Sequence, residues 1–326
     1  MNLQNLLNLA HLHLLLNHWP IIGTFIGVGL FVVALIAKSE DLKKASLGVF
    51  SIIALFAIPT YTSGNAAYEV IRREETITKT MVDAHQGAAL MSFIFMEITG
   101  AFAWLGLWQY RRVSRPASYT LPAVLFFSVV SVGLLTITGN TGGDIRHPEI
   151  RSGQETTSFV SSIGSALFSS TQHMVTDASR WVWPVLEDLH FLGLTLLLGT
   201  LGLLDLRILG FFKPLRLAPL VKFVPWAIAG FVMNMITGFL FFVGMPFFYA
   251  YNFDFHMKMF GVLFAGVNIL LLFCTDAFRE CDQLGATEEA PALAKFFAAT
   301  SIFLVVAVII LGRYMPFFED SLRPLN

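Results

Sequence analysis

Asp83-Ala84-His85-Gln86-Gly87 opens a stretch that runs apolar to Tyr110 and carries one charged break, Glu97. The run exceeds the ~20 residues that cross a bilayer as a helix. A carboxylate about midway along it costs several kcal/mol unless it is protonated, paired or wetted. His85 sits at the entry of the same helix. Twelve residues separate it from Glu97, roughly 18 Å of rise and about a third of a turn off-face. The two side chains therefore mark two depths and need not form one site.

The surrounding composition makes lipid the natural solvent. Of 326 residues, 56% are hydrophobic and 32 are Phe. Mean hydropathy is +0.69. Charged residues are 13%, against roughly a quarter in soluble domains. The net charge of −1 indicates no general attraction to nucleic acid. Two cysteines, Cys274 and Cys281, suggest no disulfide framework, and no Cys-x-x-Cys-His is present for covalent haem attachment. The first seventeen residues hold no Lys or Arg, which argues against a cleaved signal peptide.

Eight apolar runs are expected to span the bilayer: Trp19–Ala37, Ala45–Thr62, Ala84–Tyr110, Ala117–Asn140, Leu186–Leu209, Phe223–Phe242, Phe255–Thr275 and Phe296–Met315. The expected fold is an all-α polytopic membrane protein. Residues 2–17, rich in Leu with His11, His13 and Asn interleaved, suit an interfacial helix or an extension of the first span. The polar, Ser/Thr-rich residues 144–186 read as an extracytoplasmic linker ending in Trp181-Val182-Trp183-Pro184. The organisation expected is a repeat over 1–143, the linker over 144–186, and a second repeat over 187–326. Lys and Arg favour the loops bearing Lys38, Lys43, Lys44, Arg111, Arg112, Lys213 and Arg216, which places both termini outside the cytoplasm.

The halves follow one plan. His18 and His85 open spans one and three, 67 residues apart; His190 and His256 open spans five and seven, 66 apart. Glu97 falls on Asn268, and Gly139 on Gly312, at nearly the same offset. Four spans per half would make the repeats parallel. The first half, through His18-Trp19-Pro20 and Gly139-Asn140-Thr141-Gly142-Gly143, resembles an uncharacterised bacterial four-helix membrane family with a His-Phe-Pro-like start and a Gly-x-x-Gly-Gly end. The second half resembles another such family through His190, Leu204-Asp205-Leu206-Arg207, Trp226, Thr237-Gly238, Lys258 and Asn268. These resemblances imply a fold and a bacterial inner-membrane location more than an activity.

All eight histidines fall on one side of the membrane by this topology. Membrane b-type cytochromes hold haem through imidazoles from two helices at matching depth. His18 with His85, and His190 with His256, meet that requirement and would carry two haem b groups. Lys258 could neutralise a haem propionate. Glu97 could relay a proton or bond a quinol hydroxyl. Each residue also has a plainer reading: interface imidazoles, a snorkelling lysine, a protonated carboxyl bonded to Ser131 or Thr136. Met257, Met259 and Met174 beside histidines offer a Cu(I)-like ligand mixture, though ordinary packing is the simpler reading. Asp205 and Arg207 read as an ion pair or loop contact, and Glu187 and Asp188 as helix-start charges. No nucleotide loop, nucleophile elbow or zinc signature is present, which leaves a hydrolase or kinase unsupported. The sequence favours a membrane electron-transfer subunit that exchanges electrons between quinol and an outer-side partner. The alternatives are a haem-free structural or assembly subunit of a larger complex, and a metal or small-solute transporter.

Overall fold

The computed structural model describes residues 9–71, 76–146, 158–275, 277–282, 284–285 and 287–317. Helix is the only regular structure among them, and eight helices are long and apolar enough to cross a membrane. The chain divides into two compact units, 1–170 and 171–326.

In the first unit α1 (Leu9–Leu16) and α2 (His18–Ile36) form the first span, broken at Asn17. They are followed by α3 (Glu40–Ile71), α4 (Lys79–Val113) and α5 (Thr120–Arg146). Each long helix packs on its neighbours in sequence and α5 returns to α2, which closes an antiparallel four-helix bundle. Of the N-terminal helix expected over 2–17, residues 2–8 lie outside the described residues. The described part packs along α3 and so extends the first span.

The bundle is apolar on both its inside and its outside, as a lipid solvent requires. Ile22, Phe25, Ile26, Val33 and Ile36 of α2 point outward, while Thr24, Gly27, Phe31 and Ala34 face the core. Small residues bring the backbones close: a Cβ on Gly100 would collide with Ala54 of α3. Hydroxyls pair across the α4–α5 interface, Ser92 with Thr138 at 2.7 Å and Thr99 with Ser131 at 3.3 Å. Charges gather at the helix ends. Tyr110 donates to Glu40 at 2.6 Å, and the Gln109 side-chain oxygen accepts from Thr120 and the Ala117 N–H, fixing the α4–α5 turn.

The expected linker over 144–186 contains a helix, α6 (Phe159–Thr176), and the unit boundary falls within it. Its Ser165 hydroxyl donates to the Asp83 carbonyl of α4 at 2.7 Å, and Gly87 meets Gly164 backbone to backbone, where neither could carry a side chain.

The second unit holds α7 (Val182–Leu209), α8 (Leu217–Val221), α9 (Val224–Gly244), α10 (Pro246–Ala250), α11 (Phe253–Cys274), α12 (Ala277–Asp282) and α13 (Ala292–Tyr314). α7 packs on α9 and α13, and α13 on α11. Gly210, at φ 100°, takes the left-handed position that ends α7. Below it Arg207, fully buried, donates to the carbonyls of Leu215, Gly285 and Glu288. This is the loop contact, and Asp205 instead lies buried near Ser301 of α13. Asn268 donates to the Phe297 carbonyl at 3.0 Å, joining α11 to α13. At the same end Glu289 bridges Lys213 at 2.8 Å and Lys295 at 2.9 Å. Hydrogen bonds from the two ammonium groups hold its carboxyl down at about 2.

Candidate functional site

The structure places His85 within electrostatic reach of His13. His13, from α1, places Nδ1 3.0 Å from the Thr60 carbonyl and 3.0 Å from Ser63 Oγ on α3. His85, from α4, places Nδ1 3.2 Å from the Thr138 carbonyl and 3.2 Å from Thr141 Oγ1 on α5. Each imidazole thus meets a neighbouring helix at a carbonyl and, three residues on, a hydroxyl. The next residue is glycine in both cases. A Cβ on Gly64 would lie 3.5 Å from His13 Cε1, and one on Gly142 3.1 Å from His85 Cε1.

This network assigns the tautomer. A carbonyl can only accept, so Nδ1 carries the proton in both rings. The hydroxyls are spent on backbone carbonyls, Ser63 on Thr60 and Thr141 on Ile137, and so they too accept from Nδ1–H. Nε2 is left with its lone pair and has no hydrogen-bond partner among the described residues. Both rings are half-buried. An imidazole pinned by Nδ1–H to a carbonyl, with Nε2 free, is how metal-ligating histidines are held.

The second unit repeats the hydroxyl and the glycine of this clamp, without the carbonyl. His190 Nδ1 lies 2.7 Å from Thr237 Oγ1 of α9, whose hydroxyl donates to the Met233 carbonyl at 2.7 Å. Gly238 follows, and a Cβ there would lie 3.6 Å from His190 Cε1. Facing His190 within electrostatic reach is Lys258 of α11. Its Nζ would sit 3.4 Å from a Cβ on Gly312 of α13. Gly142, rather than Gly139, occupies in the first unit the place Gly312 holds here.

The remaining expected residues lie elsewhere. His18 is exposed and turns Nδ1 back to the Leu14 carbonyl at 2.9 Å. His256 is buried, with Nε2 2.8 Å from the Ala250 carbonyl and its ring edge-on to Phe255. Glu97 lies on α4, three turns from His85. One of its oxygens is buried and lacks a hydrogen-bond partner. Ser131 and Thr136 do not reach it, since they bond Thr99, Phe127 and Val132.

Two imidazoles with free Nε2 suit a group that brings its own equatorial donors. No three His, Cys, Asp or Glu side chains among the described residues cluster to bind a bare metal ion. Haem needs only two axial nitrogens from the protein, and each of these rings leaves one unengaged. Sequence reasoning passed over His13 because it lies within the leucine-rich N-terminal run. The signal that marks it is the hydroxyl-glycine pair, Ser63-Gly64, matched by Thr141-Gly142 and Thr237-Gly238. No protein family, curated protein or solved structure matches this chain.

Proposed function

We propose that this chain is a membrane electron-transfer subunit of b-type cytochrome character, with His13 and His85 as the axial ligands of a haem in the first unit. The observation that carries the reading is the shared clamp: Nδ1–H held by a carbonyl and a hydroxyl on the adjacent helix, Nε2 free. Haem supplies one-electron chemistry when bound. The protein fixes the ring orientation, raises the imidazoles' donor strength through the Nδ1–H bonds, and surrounds the site with low-dielectric helices. Quinol in the bilayer and a partner on the outer side are the proposed electron donor and acceptor. Glu97, an intramembrane carboxyl with an unpartnered oxygen, is the proposed proton-handling group.

The test is a visible spectrum of the purified protein, before and after haem addition. A Soret band with low-spin α and β bands on reduction is expected. Its conversion to a high-spin spectrum in His13→Ala and in His85→Ala, with His18→Ala unchanged, would identify the ligands. Failure to bind haem in any form would leave a structural subunit as the better reading. The proposal places this chain in the bacterial cytoplasmic membrane with both termini outside. Cys281 is buried, so orientation is better read from an introduced thiol. Ser118→Cys, in the α4–α5 loop, is expected to resist an impermeant reagent applied to intact cells.

A further inference from the structure

We propose that the second unit holds a second haem, ligated on one side by the His190 imidazole and on the other by the Lys258 amine. It deepens the first-unit reading, whose ligands are a different pair, so each can fail alone.

Four ligand positions follow one plan. In three of them an imidazole lies over a glycine that opens space on the adjacent helix: His13 over Gly64, His85 over Gly142 and His190 over Gly238. At the fourth, the side chain over the glycine is Lys258, whose Nζ occupies the clearance at Gly312. His85 and Lys258 stand on the third long helix of their units, and Gly142 and Gly312 on the fourth. Leu311 stands where the other three positions have Ser or Thr. An amine needs no such hydroxyl, because it has no second nitrogen to pin.

The His190 end is ready for a metal. The Thr237 hydroxyl hydrogen goes to the Met233 carbonyl, so Thr237 accepts from Nδ1–H and Nε2 keeps its lone pair. The Lys258 end is a cation in a membrane span that makes no ion pair or hydrogen bond among the described residues. Intramembrane lysines without a counter-ion mark functional sites. An ammonium has no lone pair, but the neutral amine is a nitrogen donor much like imidazole. Ligation therefore releases one proton. His256, the other imidazole on α11, has Nε2 engaged by the Ala250 carbonyl.

The experiment uses the full chain purified in detergent. Haem content against protein is expected to be two, with two low-spin species by electron paramagnetic resonance. One haem per chain that His13→Ala turns high-spin would overturn this proposal and leave the first-unit site standing; none would overturn both. Lys258→Leu and Lys258→Arg separate a ligand from a charge. A guanidinium keeps the charge but cannot deprotonate to ligate, so both variants are expected to turn one of the two haems high-spin. A lysine that merely neutralised a propionate would be replaced by Arg with no change of spin state, which would refute ligation. Lys258→Ala restored to low spin by added methylamine supports it. The unaltered His13/His85 signal reports folding in every variant.

Discussion

Gly142→Ala tests the clamp at its tightest point. The new methyl would lie 3.1 Å from His85 Cε1 and 3.4 Å from Nδ1. Carbon pairs are best at about 3.5–4.0 Å, so the ring must retreat by about 0.4 Å or more. Thr138 and Thr141 lie on the same helix as Gly142, so retreat from the methyl is retreat from them too. Both Nδ1 bonds start at 3.2 Å and would end near 3.6 Å, beyond useful range. Two bonds at ~0.5–1.5 kcal/mol each make about 1–3 kcal/mol, or roughly 5- to 150-fold in haem affinity. The assay is spectrophotometric titration of haem into the apo-protein in detergent. Two substitutions serve as internal standards. Gly64→Ala would place its methyl 3.5 Å from His13, an ordinary contact, and Gly139→Ala meets only Ile21 at 3.8 Å. Both are expected to bind nearly as the parent does. Gly142→Ala binding as tightly as Gly139→Ala would refute the claim that the α5 clamp positions the ligand.

Other substitutions probe the frame. Arg207→Met strips the only side-chain donor described for the carbonyls of Leu215, Gly285 and Glu288, and a loss of about 3 kcal/mol or more is expected. Lys at 207 should recover little of it, since an ammonium lacks the fork; denaturation in micelles that is unchanged in either variant would contradict this. The Glu289 carboxyl is held below its unfolded range by Lys213 and Lys295, so its stabilisation is complete above about pH 4.3 and fades as pH falls towards 2. Glu289→Gln should therefore melt lower than the parent at pH 6 and equally at pH 2, the gap shrinking in high salt; a gap that persists at pH 2 would point to packing. Glu97→Gln keeps a hydrogen-bonding shape without a titratable proton, so it should preserve the haem spectrum and slow quinol-driven reduction. Full reduction rates would leave Glu97 as a packing residue.

The spans were legible because a lipid-facing helix leaves a continuous apolar run, and all eight expected runs overlap long helices. Helix α6 was not, because Ser161, Ser162 and Ser165 dilute its apolar positions and its docking depends on a backbone contact at Gly87. At the candidate site, His85, His190 and Lys258 were visible as polar groups at the starts of apolar runs. Their pairing was not. Spacing along the chain set His18 beside His85 at equal depth, but which face a ring takes depends on the break at Asn17 and on the Thr60 carbonyl of α3 that His13 meets. A backbone acceptor carries no side-chain signature in the sequence.

Arg207 has a consequence for encounters at its end of the molecule. One guanidinium gathers carbonyls from the loop after α7 and from the loop before α13. Lys213, Glu289 and Lys295 are mounted on those loops or beside them. The exposed charges therefore stand on a surface set before any partner arrives. Ordering a mobile side chain on association forfeits ~0.5–1.5 kcal/mol, and loops already tied from within forfeit less. A protein docking there would meet a template rather than a tether, and its selectivity would come from the fixed spacing of two cations around one carboxylate.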